Sequence, residues 1–517
     1  MESSDQQEEH PLTLKFSLEK SVRKLVQNKV ILLKQSQAAA GGEGGEGRSA
    51  IQINTEFSLP ALPDHVCSAI HAGHNLKSLR KEHERAFWSA NSNAIKNGID
   101  RIWIDHDYDH DHNLHHKEPP IEHKHENHFH LTPLQLKERY LYMNRPCIIQ
   151  NMSIPITDQW IIKNDKEGTK MKSHINTQWF LDNIGPETQV PVRVNQPGYQ
   201  DGRAAECLTS KMTMKEWIEE VGSQNPDPNQ YLKDWHMQSH FQHLYSDPII
   251  FQDVLNPFLI ENEGGDYRFV YWGCKGSSTG IHADVLNSFS WSYNVIGTKR
   301  WTFYHMDDIH GSGSEALVVD QCQGEMLYVP SGWRHSVENL EEAISVNHNW
   351  AMAGSLDCVF DCVVDEIRAV EEEMDAWGML NPVAETDTHS RVREDMLRGC
   401  VGMDVSMFCA LVVSCFTTCL LDLLNENCSG NERERDAWLD FYRIARILGT
   451  ILDTTMFDEQ EEYVNDDDKN GEEMVVIDLQ GRLKSTLGEK HARDTMELMH
   501  CLHDFACQAT NKCTKDM

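Results

Sequence analysis

The stretch from Thr279 to Trp350 constrains this chain more than any other. It reads TGIHADVLNSFSWSYNVIGTKRWTFY, then a polar connection, then GEMLYVPSGWRHSVENLEEAISVNHNW. Residues 288–304 are rich in Ser, Trp, Tyr, Val, Ile and Phe, and the Gly297-Thr298 turn divides them into two adjacent strands. MLYVP predicts a further short strand, Ser331-Gly332 a turn, and AISVNHNW another strand. Strands in this succession point to a β-barrel, with His335 at its mouth.

Within the stretch, His282 and Asp284 stand two residues apart. On a strand, side chains alternate with period two, so this spacing puts both on one face. His335 is a third ligand arriving from a distant strand. Two neutral imidazoles and one carboxylate make the facial triad that leaves coordination positions open, the arrangement of non-haem Fe(II) oxygenases. The chain holds 27 histidines, so the pair alone decides little. A second His-x-Asp, His305–Asp307, falls in HMDDIHGSGSEA, which is turn-forming sequence, and context therefore selects the first pair.

The order Thr279-x-x-His282-x-Asp284, Lys299-Arg300-Trp301, Gly324-Glu325, Val329-Pro330-Ser331-Gly332-Trp333-x-His335 and Val346-Asn347 resembles the JmjC family. YLKDWH at 231–236 and DYRFVYWG at 266–273 are similar to the branch of that family that hydroxylates a lysine in the translation termination factor. The resemblance spans about residues 131–455. It implies an α+β fold: a double-stranded β-helix, the jelly-roll, cupin-like barrel, braced by helices and followed by a C-terminal helical domain. It implies Fe(II) held by His282, Asp284 and His335. It also implies 2-oxoglutarate as co-substrate, O2 as oxidant and ascorbate as supporting reductant.

By the same resemblance, Lys299 meets the distal carboxylate of 2-oxoglutarate, Thr279 shares that carboxylate through its hydroxyl, and Asn347 lies near the other end. A buried carboxylate needs such a cation, because an unpaired buried charge is costly. Arg300 is the alternative cation, and a plain surface lysine the alternative role for Lys299. Trp291, Trp301, Trp333 and Trp350 are candidates for a dry wall at the site mouth, or else ordinary core. The connection between Trp301 and Gly324 is short, where the branch carries a longer, Pro-rich insertion.

The rest of the chain frames this core. Residues 1–130 read as an N-terminal extension, with a basic helix over 12–35, a Gly-rich linker in AAAGGEGGEG, and nine histidines in 105–130. That last segment lacks apolar residues to fold around a metal and reads as a solvated linker. An oxygenase domain is expected over 131–375, opening with a Thr-capped helix at TPLQLKERYLYMNRP. In YLKDWHMQSH, His236 and His240 have the spacing of one helix face, but the glutamate base of the zinc-protease motif is missing. Residues 376–517 are expected to be helical, with an acidic loop at 459–473.

Lys and Arg total 47 against 81 Asp and Glu, a net charge of −34. So acidic a chain is repelled by phosphate backbones, so no direct nucleic-acid partner is expected. The 15 cysteines include no Cys-x-x-Cys, and the start, MESSDQQEEH, has no apolar run. A reducing compartment follows, the cytoplasm and also the nucleus. The apolar run at 400–425 is interrupted by Asp404, Thr417, Thr418 and Asp422, so it reads as a buried helix and no membrane partner is expected. The family resemblance implies that the C-terminal helices serve as a dimerisation or a bracing element, so a homodimer through them is one expectation. The expected substrate is a translation release factor. An N-methyl-lysine demethylase and a non-catalytic scaffold remain as other readings.

Overall fold

The computed structural model describes residues 18–28, 30–35, 49–54, 76–91, 99–104, 129–163, 173–194, 208–239, 250–262, 265–305, 316–378, 387–424, 432–453 and 478–514. The Gly-rich linker, most of the histidine-rich segment and the acidic loop lie outside them. The chain divides into two compact units, one of Leu76–Asp253 with Asp266–Ala351, the other of Met1–Asn75, Val254–Gly265 and Met352–Met517.

The first unit is built on two sheets. The larger has ten strands in the order Phe129–Leu131, Asp100–Ile104, Cys147–Ile149, Met326–Val329, Phe289–Ile296, Ala343–Trp350, Arg268–Gly273, Gln230–Trp235, Gln189–Val194 and Leu208–Thr213. It is mixed, because Asp100–Ile104 runs parallel to both of its neighbours. The smaller sheet is antiparallel, in the order Ser278–His282, His335–Asn339, Lys299–Tyr304 and Ala316–Gln321. From Arg268 to Trp350 the chain passes back and forth between the two sheets, the winding of a double-stranded β-helix. No ladder joins the sheets among the described residues, so the expected barrel is an open jelly roll and not a closed one.

Strand alternation sorts the side chains. In the large sheet, Phe289, Trp291, Trp272 and Trp350 share one face, where Phe251 packs 4.9 Å from Trp350 and Phe180 packs 4.9 Å from Trp272. Each such fully buried side chain contributes about 1.5–3 kcal/mol. The opposite face carries Ser290, Ser292, Asn294, Ser345 and Asn347, all buried. A buried polar face is unfavourable without partners, and it marks where the chemistry sits. In the small sheet, Lys299, Trp301 and Phe303 are buried while Arg300, Thr302 and Tyr304 are half-buried. The turn between Phe289–Ile296 and Lys299–Tyr304 requires glycine, since Gly297 has φ 84° and a Cβ there would run into the Glu342 carbonyl.

Thr132 caps its helix with a reciprocal Gln135 box, as TPLQ predicts, and Asn144 turns at φ 51° before strand Cys147–Ile149. Two local expectations are corrected. YLKDWH is a strand, Gln230–Trp235, because Tyr231, Leu232 and Trp235 bury their side chains in sheet register, so the four-residue spacing of His236 and His240 does not define a helix face. His236 instead lies 3.5 Å from Asp266, and His240 is outside the described residues. The basic helix expected over 12–35 ends early: 18–27 are helical, but Ile31–Gln35 is a strand whose apolar Ile-Leu-Leu run pairs with Ser49–Ile53.

The second unit is mainly helical, with Leu356–Ala376, Asp387–Val401, Val405–Leu423, Glu432–Asp453, Leu479–Leu487 and Glu489–Thr514. Helix Leu356–Ala376 thus groups with the C-terminal helices. Val405–Leu423 is long and apolar enough to cross a membrane by length and composition; 72% of its most apolar window is buried in the structure. Asp404 caps that helix through Met407 N–H and pairs with Arg398. Arg482 is buried between Glu394 and Glu371, each 2.5 Å away.

Candidate metal centre

His282 ends strand Ser278–His282, and His335 begins its antiparallel neighbour directly opposite. Their ring centroids are 4.4 Å apart. His282 Nδ1 lies 2.9 Å from the Gly280 carbonyl and His335 Nδ1 2.9 Å from that of Trp333. A carbonyl only accepts, so each Nδ1 carries the proton and each Nε2 keeps its lone pair for a metal. Burial of the ring, then His335 and Lys233, lowers the His282 pKa to about 3, which keeps the imidazole neutral.

Asp284 does not share a strand with His282. The strand stops at His282, and Asp284 opens a short turn in which Leu286 and Asn287 have φ 56° and 45°. The period-two argument for the pair therefore gives way to a turn that swings the carboxylate back. Ser290 Oγ donates to Asp284 Oδ2 at 2.7 Å and fixes it. Donor atoms of His282, Asp284 and His335 all lie within 4.8 Å of one another. Two nitrogens and one oxygen in that space suit a divalent ion with open positions.

Lys299 is 1% exposed, and its Nζ donates to the Tyr231 hydroxyl at 3.2 Å. Burial, then Lys233, lowers its pKa to about 7. Burial also raises the Tyr231 pKa, so that phenol stays neutral. No carboxylate pairs with Lys299 among the described residues, which is the setting a carboxylate ligand completes. Arg300, the alternative cation, turns to the other face and holds Asp320 through two bonds of 2.8 and 2.9 Å. Thr279 lies in the cross-strand row of Val337 and Trp301, beside the row of Asn339 and Lys299.

Asn347 sits on the buried polar face opposite Ser292, with Nδ2 donating to Ser345 Oγ at 2.9 Å. The Ser292 hydroxyl is buried with no hydrogen-bond partner among the described residues, and a polar ligand would satisfy it. Donor set, buried cation and unsatisfied hydroxyl together fit Fe(II) with a dicarboxylate.

The four tryptophans separate. Trp301 lies 5.3 Å from His335 and walls the centre, while Trp333 packs on Phe303, itself 5.9 Å from His335. Trp291 and Trp350 occupy the opposite face of the large sheet, because alternation sets them against Ser290 and Asn349, and they pack on Phe251. His305 packs against Trp88 at 5.2 Å, and Asp307 is outside the described residues. Residues that the sequence does not assign are Tyr231, Ser290 and the Trp333 carbonyl. Tyr231 follows from a strand at 230–235, while the roles of Ser290 and the Trp333 carbonyl depend on turn geometry.

The description "JmjC domain, hydroxylase" matches residues 302–350. The 2-oxoglutarate and iron-dependent oxygenase JMJD4 of Danio rerio is 33% identical over 307 residues, covering 53% of this chain and 70% of the relative. The JMJD4 homolog of Drosophila melanogaster is 30% identical over 324 residues, 53% of this chain and 73% of the relative. The arginine-specific demethylase JMJ20 of Arabidopsis thaliana is 30% identical over 291 residues, 46% of this chain and 59% of the relative.

Proposed function

This chain belongs to the JMJD4 family of 2-oxoglutarate and iron-dependent oxygenases, and from that premise we propose that it hydroxylates a lysine side chain of a translation release factor. His282, Asp284 and His335 hold Fe(II), while Lys299, Thr279 and Asn347 bind 2-oxoglutarate. Bound iron with 2-oxoglutarate and O2 supplies the oxidant, and ascorbate maintains the ferrous state. The chain's own part is positioning and exclusion of water. Ser290 holds the Asp284 carboxylate, the Gly280 and Trp333 carbonyls hold the imidazoles, and Trp301 and Phe303 keep the His335 side dry.

The observation that carries the enzyme reading is the convergence of the three donor groups beside a buried lysine. The net charge of −34 supports a basic protein substrate. Cytoplasm and nucleus are the compartments in which such a substrate is met. The similarity to JMJ20 favours one second reading, removal of an N-methyl group, in which the same oxidant acts on a methyl carbon and formaldehyde leaves.

The test is succinate formation by purified protein with Fe(II), ascorbate and a basic release-factor fragment, with the fragment's mass read alongside. One added oxygen on a lysine, absent with His282→Ala, supports hydroxylation. Loss of a methyl group moves the reading to demethylation. No succinate and no iron bound by the wild type overturns both.

A further inference from the structure

Asn339 closes the strand that His335 opens, and it is the direct cross-strand partner of Lys299. Strand alternation puts His335 and Asn339 on one face, at opposite ends of the strand. Asn339 and Lys299 are each 1% exposed, so an amide and an ammonium share the buried end away from the metal donors.

The Asn339 side chain is held through its nitrogen. Nδ2 donates to Ser277 Oγ at 2.9 Å, and that hydroxyl donates to the Cys274 carbonyl at 2.7 Å. The Asn339 backbone is tied to the same turn, its N–H donating to the Ser277 carbonyl at 2.9 Å and its carbonyl accepting from Gly276 N–H at 2.7 Å. Gly273 permits this close approach. A Cβ there would run into Ser277 Oγ and come within 2.7 Å of both Asn339 Nδ2 and Tyr231 Cδ2. Asn339, Ser277 and Tyr231 therefore pack around one bare stretch of backbone, with little freedom to turn.

The amide oxygen is different. Asn339 Oδ1 is buried with no hydrogen-bond partner among the described residues. A buried acceptor without a donor is unfavourable, and its retention needs a reason. The facing lysine offers one, since an ammonium carries three N–H donors. Lys299 gives one of them to the Tyr231 hydroxyl. A ligand carboxylate takes a second, and one remains.

We propose that Asn339 is a specificity-determining residue for the co-substrate: its amide oxygen takes the remaining N–H of Lys299 and so presents the ammonium to the distal carboxylate of 2-oxoglutarate. The inference rests on the co-substrate reading above. The acceptor has to be neutral. A carboxylate at this position would pair with Lys299 by itself and compete with the ligand, whereas an apolar side chain would leave the buried ammonium one acceptor short.

The experiment measures binding without turnover, with Mn(II) in place of iron, by quenching of tryptophan fluorescence. The ligands are 2-oxoglutarate and 2-oxopentanoate, which keeps the 2-oxo acid end and lacks the distal carboxylate. Asn339→Leu should weaken 2-oxoglutarate about tenfold, the size of one charge-assisted hydrogen bond. Asn339→Asp, which keeps the side chain's shape, should weaken it at least as much. Both should bind 2-oxopentanoate as the wild type does, a split that a loosened fold would not produce. Variants that bind 2-oxoglutarate at wild-type strength, or that lose both ligands alike, overturn the proposal. A wild type that binds neither ligand overturns the co-substrate reading itself.

Discussion

His282 and His335 are direct cross-strand partners, their rings 4.4 Å apart and each Nδ1 turned to its own backbone carbonyl. The pairing presets two nitrogen donors before any ion arrives, so metal binding should depend steeply on either ring. Outer partners of metal ligands are worth about 10–100-fold in affinity, and a ligand itself should exceed that range. His335→Ala is therefore expected to weaken Mn(II) by more than about 100-fold in equilibrium dialysis. Wild-type affinity in that variant would remove His335 from the centre.

Ser290 acts through Asp284, which its hydroxyl holds at 2.7 Å. Ser290→Ala frees a carboxylate carried on a turn instead of a strand. The expected result is a loss of about tenfold in metal affinity, with Ser290→Thr retaining most of it. An Ala variant with unchanged metal affinity would make the hydrogen bond incidental.

Lys299 gives the apo protein a pH signature. Its pKa falls from 10.5 to about 7, so between those values the unfolded chain binds a proton that the folded chain does not. Stability rises with pH wherever the unfolded state holds more protons. The metal-free protein should thus gain up to a few kcal/mol on going from pH 7 to pH 10. Lys299→Met should flatten that rise in urea titrations. A carboxylate ligand needs the ammonium form, so the affinity for 2-oxoglutarate should fall as pH climbs above about 7. A wild type whose stability does not depend on pH in this window would place the cation in a wetter setting.

Much of this was legible in the sequence. The strands around Gly297 and Ser331-Gly332 follow from β-branched and aromatic runs cut by turn residues, and the family resemblance located Lys299 and the three donor groups. What escaped the sequence depended on three-dimensional neighbours. Asp284 is brought home by positive φ at Leu286 and Asn287; Asn favours that conformation, but Leu carries no local signal for it. The spacing of His236 and His240 in YLKDWHMQSH suits a helix face, whereas pairing with Arg268–Gly273 makes 230–235 a strand. The ten-strand order joins Asp100–Ile104 to Cys147–Ile149 across the histidine-rich sequence and a capped helix, so that parallel pairing left no local trace.

The helical unit carries its own test. Arg482 is buried and bridges Glu394 and Glu371 at 2.5 Å each, and burial already raises the Glu394 pKa. Removing the cation leaves a buried acid, a loss of about 3–5 kcal/mol. Arg482→Met should lower the unfolding midpoint sharply, and adding Glu394→Gln should recover part of it. Equal midpoints for Arg482→Met and the wild type would mean that water already solvates these acids.

The helix Leu76–Asn91, to which the sequence assigned no role, reaches the metal centre through one stack. Trp88 lies 5.3 Å from Trp333 at an interplanar angle of 26°, and Phe87 meets Trp333 edge-on at 5.5 Å. The Trp333 carbonyl accepts from His335 Nδ1, so the stack fixes the backbone that orients a metal ligand. Trp88→Ala removes a buried indole and should destabilise the sheet-bearing unit by about 3–5 kcal/mol. A wall with structural value alone would change stability and nothing else. The geometry demands more: metal affinity measured well below the new unfolding midpoint should also fall, by about tenfold, the lower end of the range for outer partners. Trp88→Phe, which keeps an aromatic face against Trp333, should restore affinity before it restores stability. If Trp88→Ala binds Mn(II) as the wild type does, the helix braces the fold without tuning the ligand.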